Sequence, residues 1–180
     1  MNTSYNKHSD SRNTQAYPSH NTKLNNLASG ESVIDRKHSH LSSDTATRSA
    51  VNGALSRIHA NNREFIEEEI TYDKPVGQTV CVSTTDKDTI VMAKRRNRNG
   101  LSRLVMNRTP EPSSKVFVVL KKSGPFEYVL ITGFIGGKPH PELFDTNAFD
   151  RKEDPAKAFA EAKEFWSNHA LIFNSQEVEP

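Results

Sequence analysis

The stretch "KVFVVLKKSGPFEYVLITGFI", residues 115–135, decides the fold. Its two apolar runs, 115–122 and 127–135, are rich in β-branched and aromatic residues, and a Ser-Gly-Pro turn at 123–125 separates them. Two short runs of this composition on either side of such a turn are typical of paired β-strands. Their apolar density predicts central strands that are covered by a helix.

Two segments with helical periodicity flank this strand pair. Residues 51–70 place apolar side chains at helical spacing, with His59 at the edge of the apolar stripe. A second helix is predicted to begin at Asp154-Pro155, an N-cap followed by proline in the first turn. This late helix carries His169 on its apolar face.

Shorter strands complete the predicted architecture. Residues 79–83 and 89–93 read as a hairpin, a third strand runs through 103–106, and a short last strand covers 170–173. A helix, several strands and a late helix in this order predict an α+β fold. We expect an N-terminal helix packed on a curved antiparallel sheet of four to five strands, with a late second helix.

The first 50 residues differ in composition from the rest of the chain. They are rich in Asn, Ser, Thr and His, with almost no aliphatic residues apart from short pairs such as Val33-Ile34 and Ala50-Val51. Such a segment buries too little apolar area to offset the entropy of ordering it. The sequence therefore predicts a disordered tail over 1–50, able to order on a partner, and a single α+β domain over 51–180.

Cysteine content and hydropathy exclude several classes of protein. The single cysteine, Cys81, permits no internal disulfide and no multi-cysteine zinc site. No window approaches the apolar run of about 18 residues that a membrane span requires, and the N-terminus lacks the pattern of a secretory signal. We predict no metal, no cofactor and no membrane partner. The expected location is the cytoplasm, or a target cell reached without a classical signal peptide.

A run of cations, "KRRNRNGLSR" at 94–103, contrasts with the overall balance of charge. Residues 51–180 hold 18 basic and 18 acidic residues, yet 94–108 contain no acid. A concentrated positive patch on a neutral body steers polyanions. The alternative is an ordinary solvated loop. The predicted nucleic-acid-binding residues are Lys94, Arg95, Arg96, Arg108 and Lys121.

The remaining polar residues suit cleavage of RNA through its own 2′-hydroxyl. That reaction needs a base, an acid and cations around the phosphate, but no metal. Histidine suits the proton transfers and arginine the phosphate. The candidate catalytic residues are His59, Arg98, Arg103, Thr132 and His169. Each has a structural alternative: packing for His59, a helix C-cap for His169, a strand residue for Thr132. His140, between two prolines, reads as a loop residue.

Four quoted segments carry a resemblance to a known group: "DTIVMAKRRNRNGLSRLV", "KVFVVLKK", "YVLITGFIG" and "FWSNHAL". Over about residues 55–173, this order resembles the barnase/EndoU/colicin/RelE-like ribonuclease toxins of bacteria and phages. In that group a histidine-bearing helix precedes the sheet, and a late strand reads Y-x-x-x-T-x-aromatic. The resemblance implies metal-free cleavage of tRNA or mRNA and control by an immunity protein or antitoxin. It maps the helix histidine onto His59, phosphate-binding positions onto Arg95, Arg98 and Arg103, and the strand hydroxyl onto Thr132.

Two other functions compete with this hypothesis. The basic run at 94–108 alone would serve a non-enzymatic module that binds nucleic acid or a protein. ADP-ribosyl transfer is a third reading, because Arg57, "VSTTD" at 82–86 and Glu177-Val-Glu179 loosely follow the motif order of that family. Its glutamates, however, fall in the polar last residues of the chain.

Overall fold

The computed structural model of the protein describes residues 21–38, 41 and 44–180. Residues 1–20 of the predicted tail lie outside the described residues. Within the described ranges the elements are β1 (Thr22–Asn26), β2 (Ser32–Asp35), α1 (Thr45–Leu55), β3 (Phe65–Thr71), β4 (Gly77–Thr79), β5 (Cys81–Ser83), β6 (Ile90–Lys94), β7 (Leu101–Val105), β8 (Glu111–Ser113), β9 (Lys115–Gly124), β10 (Glu127–Ile135), α2 (Thr146–Asp150), α3 (Pro155–Asn168) and β11 (His169–Ile172).

A five-stranded main sheet, in the order β1-β2-β10-β9-β3, carries helix α1 on one face. All its strand pairs are antiparallel except β2 with β10. Gly133 of β10 permits close approach of the helix, because a Cβ there would lie 3.2 Å from a methyl group of Val51. The predicted α+β class, with a helix on a sheet of four to five strands and a late second helix, is confirmed.

The predicted central strand pair is β9 and β10, and β9 is buried on both faces. Val116, Val118 and Leu120 belong to the core that includes α1. Phe117 and Val119, on the opposite face, are also buried. A strand covered on both sides shows a continuous apolar run rather than an alternating one, which explains "VFVVL".

A second sheet, in the order β5-β11-β7-β6, lies beside α3. Its small core contains Val82, Val105 and Ala170. The predicted hairpin between 79–83 and 89–93 is wrong: β5 pairs with β11, and β6 pairs with β7. The short strand β11 comes from the end of the chain and inserts between β5 and β7, a non-local pairing that strand propensity does not encode.

The predicted helix over 51–70 is also wrong in its extent. Helix α1 runs from Thr45 to Leu55, and the chain then turns through Asn61 and Asn62, which have φ values of 48° and 59°. Asparagine is among the few residues that tolerate this left-handed region. Ile66 and Ile70 pack into the core from a strand instead. A spacing of four residues fits one face of a helix and one face of a strand equally well.

Part of the predicted tail belongs to the main sheet. Strands β1 and β2 lie within 22–35, and Val33 is fully buried beside β10. The helix also begins at Thr45, with Asp44 as its N-cap, rather than near residue 51. The partner on which this segment orders is therefore the domain itself, and the apolar pairs at 33–34 and 50–51 are among its contacts.

Helix α3 starts as its sequence predicts. The Asp154 side chain accepts a hydrogen bond from Lys157 N at 3.0 Å, and Pro155 occupies the first turn. On its inner face Ala162 and Trp166 form a third small core with Phe149 of α2. None of the helices in the described part of the chain is long and apolar enough to cross a membrane.

Candidate functional site

A cleft of about 440 Å³, here called the central cleft, opens on the face of the main sheet opposite α1. The sheet supplies an apolar floor that includes Phe117, Val119 and Phe134. Thr132 lines the same floor, so its hydroxyl is a polar group in an apolar surface. The walls come from the segment after β6, from α3 and from residues 136–145, here called the cleft loop.

Side-chain contacts hold the cleft loop in place. Lys138 N donates to the Glu69 carboxylate at 2.7 Å, and Trp166 Nε1 donates to Pro141 O at 3.0 Å. Glu142 forms an ion pair with Arg95, whose Nη2 lies 2.6 Å from Oε2. These contacts tie the loop to the main sheet, to α3 and to the basic run. They fix the position of the residue in the middle of the loop, His140.

The imidazole of His140 lines the central cleft. Its ring stacks on Phe165 at a centroid distance of 4.5 Å, and neither ring nitrogen has a hydrogen-bond partner among the described residues. Burial lowers the pKa of His140 below its ordinary value near 6.5, and nearby cations act in the same direction against the opposing effect of Glu161. The imidazole is therefore mostly neutral at pH 7 and able to accept a proton.

His169 lies on the other side of Phe165. The His169 ring stacks on Phe165 at 4.0 Å, and two rings stacked on one phenyl group at these distances cannot share a face. Phe165 thus separates the two histidines. His169 Nδ1 lies 3.0 Å from Phe165 O, so it donates to a carbonyl near the C-terminus of α3, where His169 is the C-cap. This contact agrees with the structural alternative for His169.

A second cavity, here called the side groove, holds about 560 Å³ and adjoins the central cleft. Phe134, Lys138, Pro139, Trp166 and Leu171 line both cavities. His169 lines the side groove and not the central cleft. Cys81 lies in its wall, and burial, with a smaller effect of Glu142, raises the pKa of this thiol to about 11.

Three of the six cations in the basic run, residues 94–108, are paired with acids that lie outside the run. Lys94 pairs with Glu179 at 3.1 Å and Arg95 with Glu142, while Arg108 contacts Asp88 and Glu111. Arg103 donates to Thr84 Oγ1 and to His169 O. Acids outside the run therefore pair with half of its cations after folding, although the run itself contains no acid. Much of its charge stabilises the fold.

Two arginines of the run remain available to a ligand. The side chains of Arg96 and Arg98 make no ion pair or hydrogen bond with the described residues, and both are exposed. Arg98 lines the central cleft, and so does Lys152, which has no ion pair within the same part of the chain. These two cations face the cavity that contains His140.

The structure brings together only some of the predicted site residues. Thr132, Arg95 and Arg98 line the central cleft. Arg103 contributes to a smaller cavity behind Glu142 and Trp166. His59 lies beyond the C-terminal end of α1, where its carbonyl accepts from Arg63, and it lines neither cavity. Lys121 is exposed on β9, outside both cavities.

The residue that sequence reasoning set aside is His140. Its flanking prolines, which suggested an ordinary loop, restrict the backbone on both sides of the ring. A single histidine in a rigid loop directly after the most apolar strand was the available signal. It was not decisive, because only the tertiary fold brings the loop to the cleft that Arg98 also lines.

No protein-family model and no curated protein matches the chain. A crystal structure of a conserved hypothetical protein from Toxoplasma gondii ME49 is similar in shape, with 10% sequence identity and a TM-score of 0.46. The likeness covers 74% of this chain and 87% of that one.

Proposed function

We propose that this protein is a metal-free endoribonuclease that binds an RNA phosphate in the central cleft and uses His140 as general base. The observation that carries the proposal is the composition of this cavity. It combines the His140 imidazole and the Arg98 guanidinium, neither of which has a hydrogen-bond or ion-pair partner among the described residues, with the hydroxyl of Thr132 on an apolar floor. The resemblance to ribonuclease toxins supports the same activity, although it mapped the catalytic histidine of the group onto His59.

The chemistry needs few groups from the protein. His140 takes the proton of the 2′-hydroxyl, the 2′ oxygen attacks phosphorus, and the bond from phosphorus to the 5′ oxygen breaks. The electron pair of that bond stays on the 5′ oxygen, which takes a proton from solvent water. His140 returns its proton to the resulting hydroxide. The products are a 2′,3′-cyclic phosphate and a 5′-hydroxyl end.

Cations around the cleft stabilise the charge that develops on the phosphate. Arg98 is suited to bidentate contact with two phosphate oxygens, and Lys152 adds a point charge. Arg95 also lines the cleft, held in place by Glu142 and by a 3.0 Å hydrogen bond to Ser102. Arg103 and Arg108 have structural partners, so in this proposal they support the site and do not bind substrate.

The proposal includes the partners that the resemblance implies. The substrate is RNA, tRNA or mRNA, and an immunity protein or antitoxin would restrain the activity in the cell that makes the enzyme. The enzyme would act in the cytoplasm of that cell or of a target cell.

A cleavage assay in EDTA tests the proposal. Full-length protein is mixed with total RNA in excess EDTA, and the ends of the fragments are analysed. We expect discrete fragments with cyclic phosphate and 5′-hydroxyl ends. Intact RNA together with salt-sensitive binding would instead support the non-enzymatic module, since phosphate contacts alone release counterions and weaken with salt.

The dependence of the cleavage rate on pH tests the role of His140. A general base must be neutral, so kcat/KM should rise with pH through the pKa of His140 and then level off. Because burial lowers this pKa, the midpoint should lie below 6.5. Single-turnover rates between pH 4.5 and 8 measure it, with circular dichroism to show that the fold persists. A rate that falls across this range would assign His140 the role of an acid.

A further inference from the structure

The side groove differs in chemistry from the central cleft. Apolar and aromatic side chains form much of its lining, including Val80, Phe134, Ile135 and Leu171. The formally charged residues of its lining are Asp44 and Lys138, and Lys138 stands where the two cavities meet. The central cleft is lined by four cations, Arg95, Arg98, Lys138 and Lys152, and by three acids, Glu67, Glu142 and Asp145. Glu142 pairs with Arg95 and Glu67 with Lys138, which leaves Arg98 and Lys152 without an ion pair among the described residues. These two cations favour an anionic part of a ligand in the cleft, and the apolar lining of the groove favours an uncharged, flat part.

The two cavities share part of their lining. Trp166 and Leu171 line both, so the groove adjoins the cleft and neighbouring parts of one ligand could occupy the two. The stacked rings of His140, Phe165 and His169 lie between the polar groups of the cleft and those of the groove. His140 is on the cleft side of this stack and His169 on the groove side. His169 Nδ1 is bonded to Phe165 O, and Nε2 has no hydrogen-bond partner among the described residues.

We infer that the side groove binds a nucleobase of single-stranded RNA next to the phosphate held in the central cleft. This inference rests on the proposed function and names its substrate class. A cavity of about 560 Å³ with apolar walls and few polar groups has the size and lining of a small-molecule site. A base can enter it only when it is free of its partner strand, because a paired base keeps its neighbours stacked above and below. Unstructured RNA is therefore the preferred ligand.

Binding of RNA that cannot be cleaved tests the groove separately from catalysis. The probe is a short single-stranded RNA in which fluorine replaces every 2′-hydroxyl. Its comparisons are the same strand in a duplex and an oligomer of equal length whose riboses carry no bases. Since stacking contributes about 1–3 kcal/mol per base, the base-free oligomer should bind roughly 10-fold more weakly or worse. The duplex should bind more weakly than the single strand.

Two variants test whether the tighter binding of base-bearing RNA arises in the side groove. Val80→Phe narrows the groove from a position that is 55% exposed, so folding should be little affected. It should weaken binding of the single strand about 10-fold and leave the base-free oligomer unchanged. Ile131→Phe is the matched control, because Ile131 is an exposed β10 residue that lines neither cavity. It should change neither affinity.

The outcomes separate the two proposals. Equal affinity for base-bearing and base-free oligomers, with no effect of Val80→Phe, would overturn the groove assignment even if natural RNA is cleaved. If the wild type binds the base-bearing oligomer more tightly, Val80→Phe loses this difference and natural RNA is not cleaved, the groove is a base site and the ribonuclease proposal is rejected. Quenching of Trp166, the single tryptophan of the chain, by the bound strand provides an independent readout at the shared wall.

Discussion

Replacement of His140 by glutamine is expected to lower kcat/KM for RNA cleavage by about 10²- to 10⁴-fold, the usual contribution of a positioned base. Glutamine retains a polar side chain of similar length but accepts no proton near neutral pH. Affinity for uncleavable RNA should change little, because Arg98 and Lys152 still face the cleft. Single-turnover cleavage and fluorescence anisotropy with the same RNA measure the two effects separately.

The matched control is His59→Gln. His59 is exposed and lies outside both cavities, and it is one of the candidate catalytic histidines predicted from the sequence. This variant should cleave RNA at the wild-type rate. If His59→Gln abolished cleavage and His140→Gln did not, the base would belong near α1 and the central cleft would lose its assignment. Thermal melts of both variants exclude unfolding as the cause.

The variant Val33→Asp is expected to lower the free energy of unfolding by at least about 4 kcal/mol. Val33 is fully buried in the core that α1 covers, and β2 pairs there with β10. A carboxyl group at this position would be removed from water and placed among apolar core residues. Urea unfolding of the full-length protein, followed by circular dichroism, measures the loss.

An exposed position on the neighbouring strand supplies the control. Asn26→Asp adds the same charge in β1, where the residue faces solvent, and should change stability by no more than about 0.5 kcal/mol. A difference between the two variants establishes that 22–35 is structural. Equal and small effects would show that this segment is a tail without a part in the core.

Residues 22–35 show that composition alone does not decide whether a polar segment joins the folded domain. Polar strands are stable when an existing sheet supplies their hydrogen bonds and a few side chains reach its core. In this segment Val33 is buried in β2, and Leu24 of β1 packs against the same core. Local apolar content indicates whether a segment could fold alone, not whether it can join a sheet. A fragment beginning at residue 51 would lack β1, β2 and half of α1, so functional tests need the full chain.

The candidate site also combines features that are visible in the sequence with features that only the tertiary structure shows. Thr132 became a candidate because a hydroxyl inside an apolar strand is visible in the sequence, and Arg98 because it belongs to a dense basic run. The sequence did not show that Arg95 and Lys94 pair with glutamates more than 40 residues away. It also did not show that His140 lies in the central cleft. Charge density along a chain does not reveal which charges remain free after folding.

The sequence alone determined the strand pair at the centre of the fold, the start of α3 and the α+β class, because these depend on local propensity, turn chemistry and capping. Tertiary structure decided the length of α1, the insertion of β11 between β5 and β7, and the union of His140, Arg98 and Thr132 in one cleft. Those features arise from contacts between segments far apart in the chain. Their stability depends on partners that no local pattern specifies.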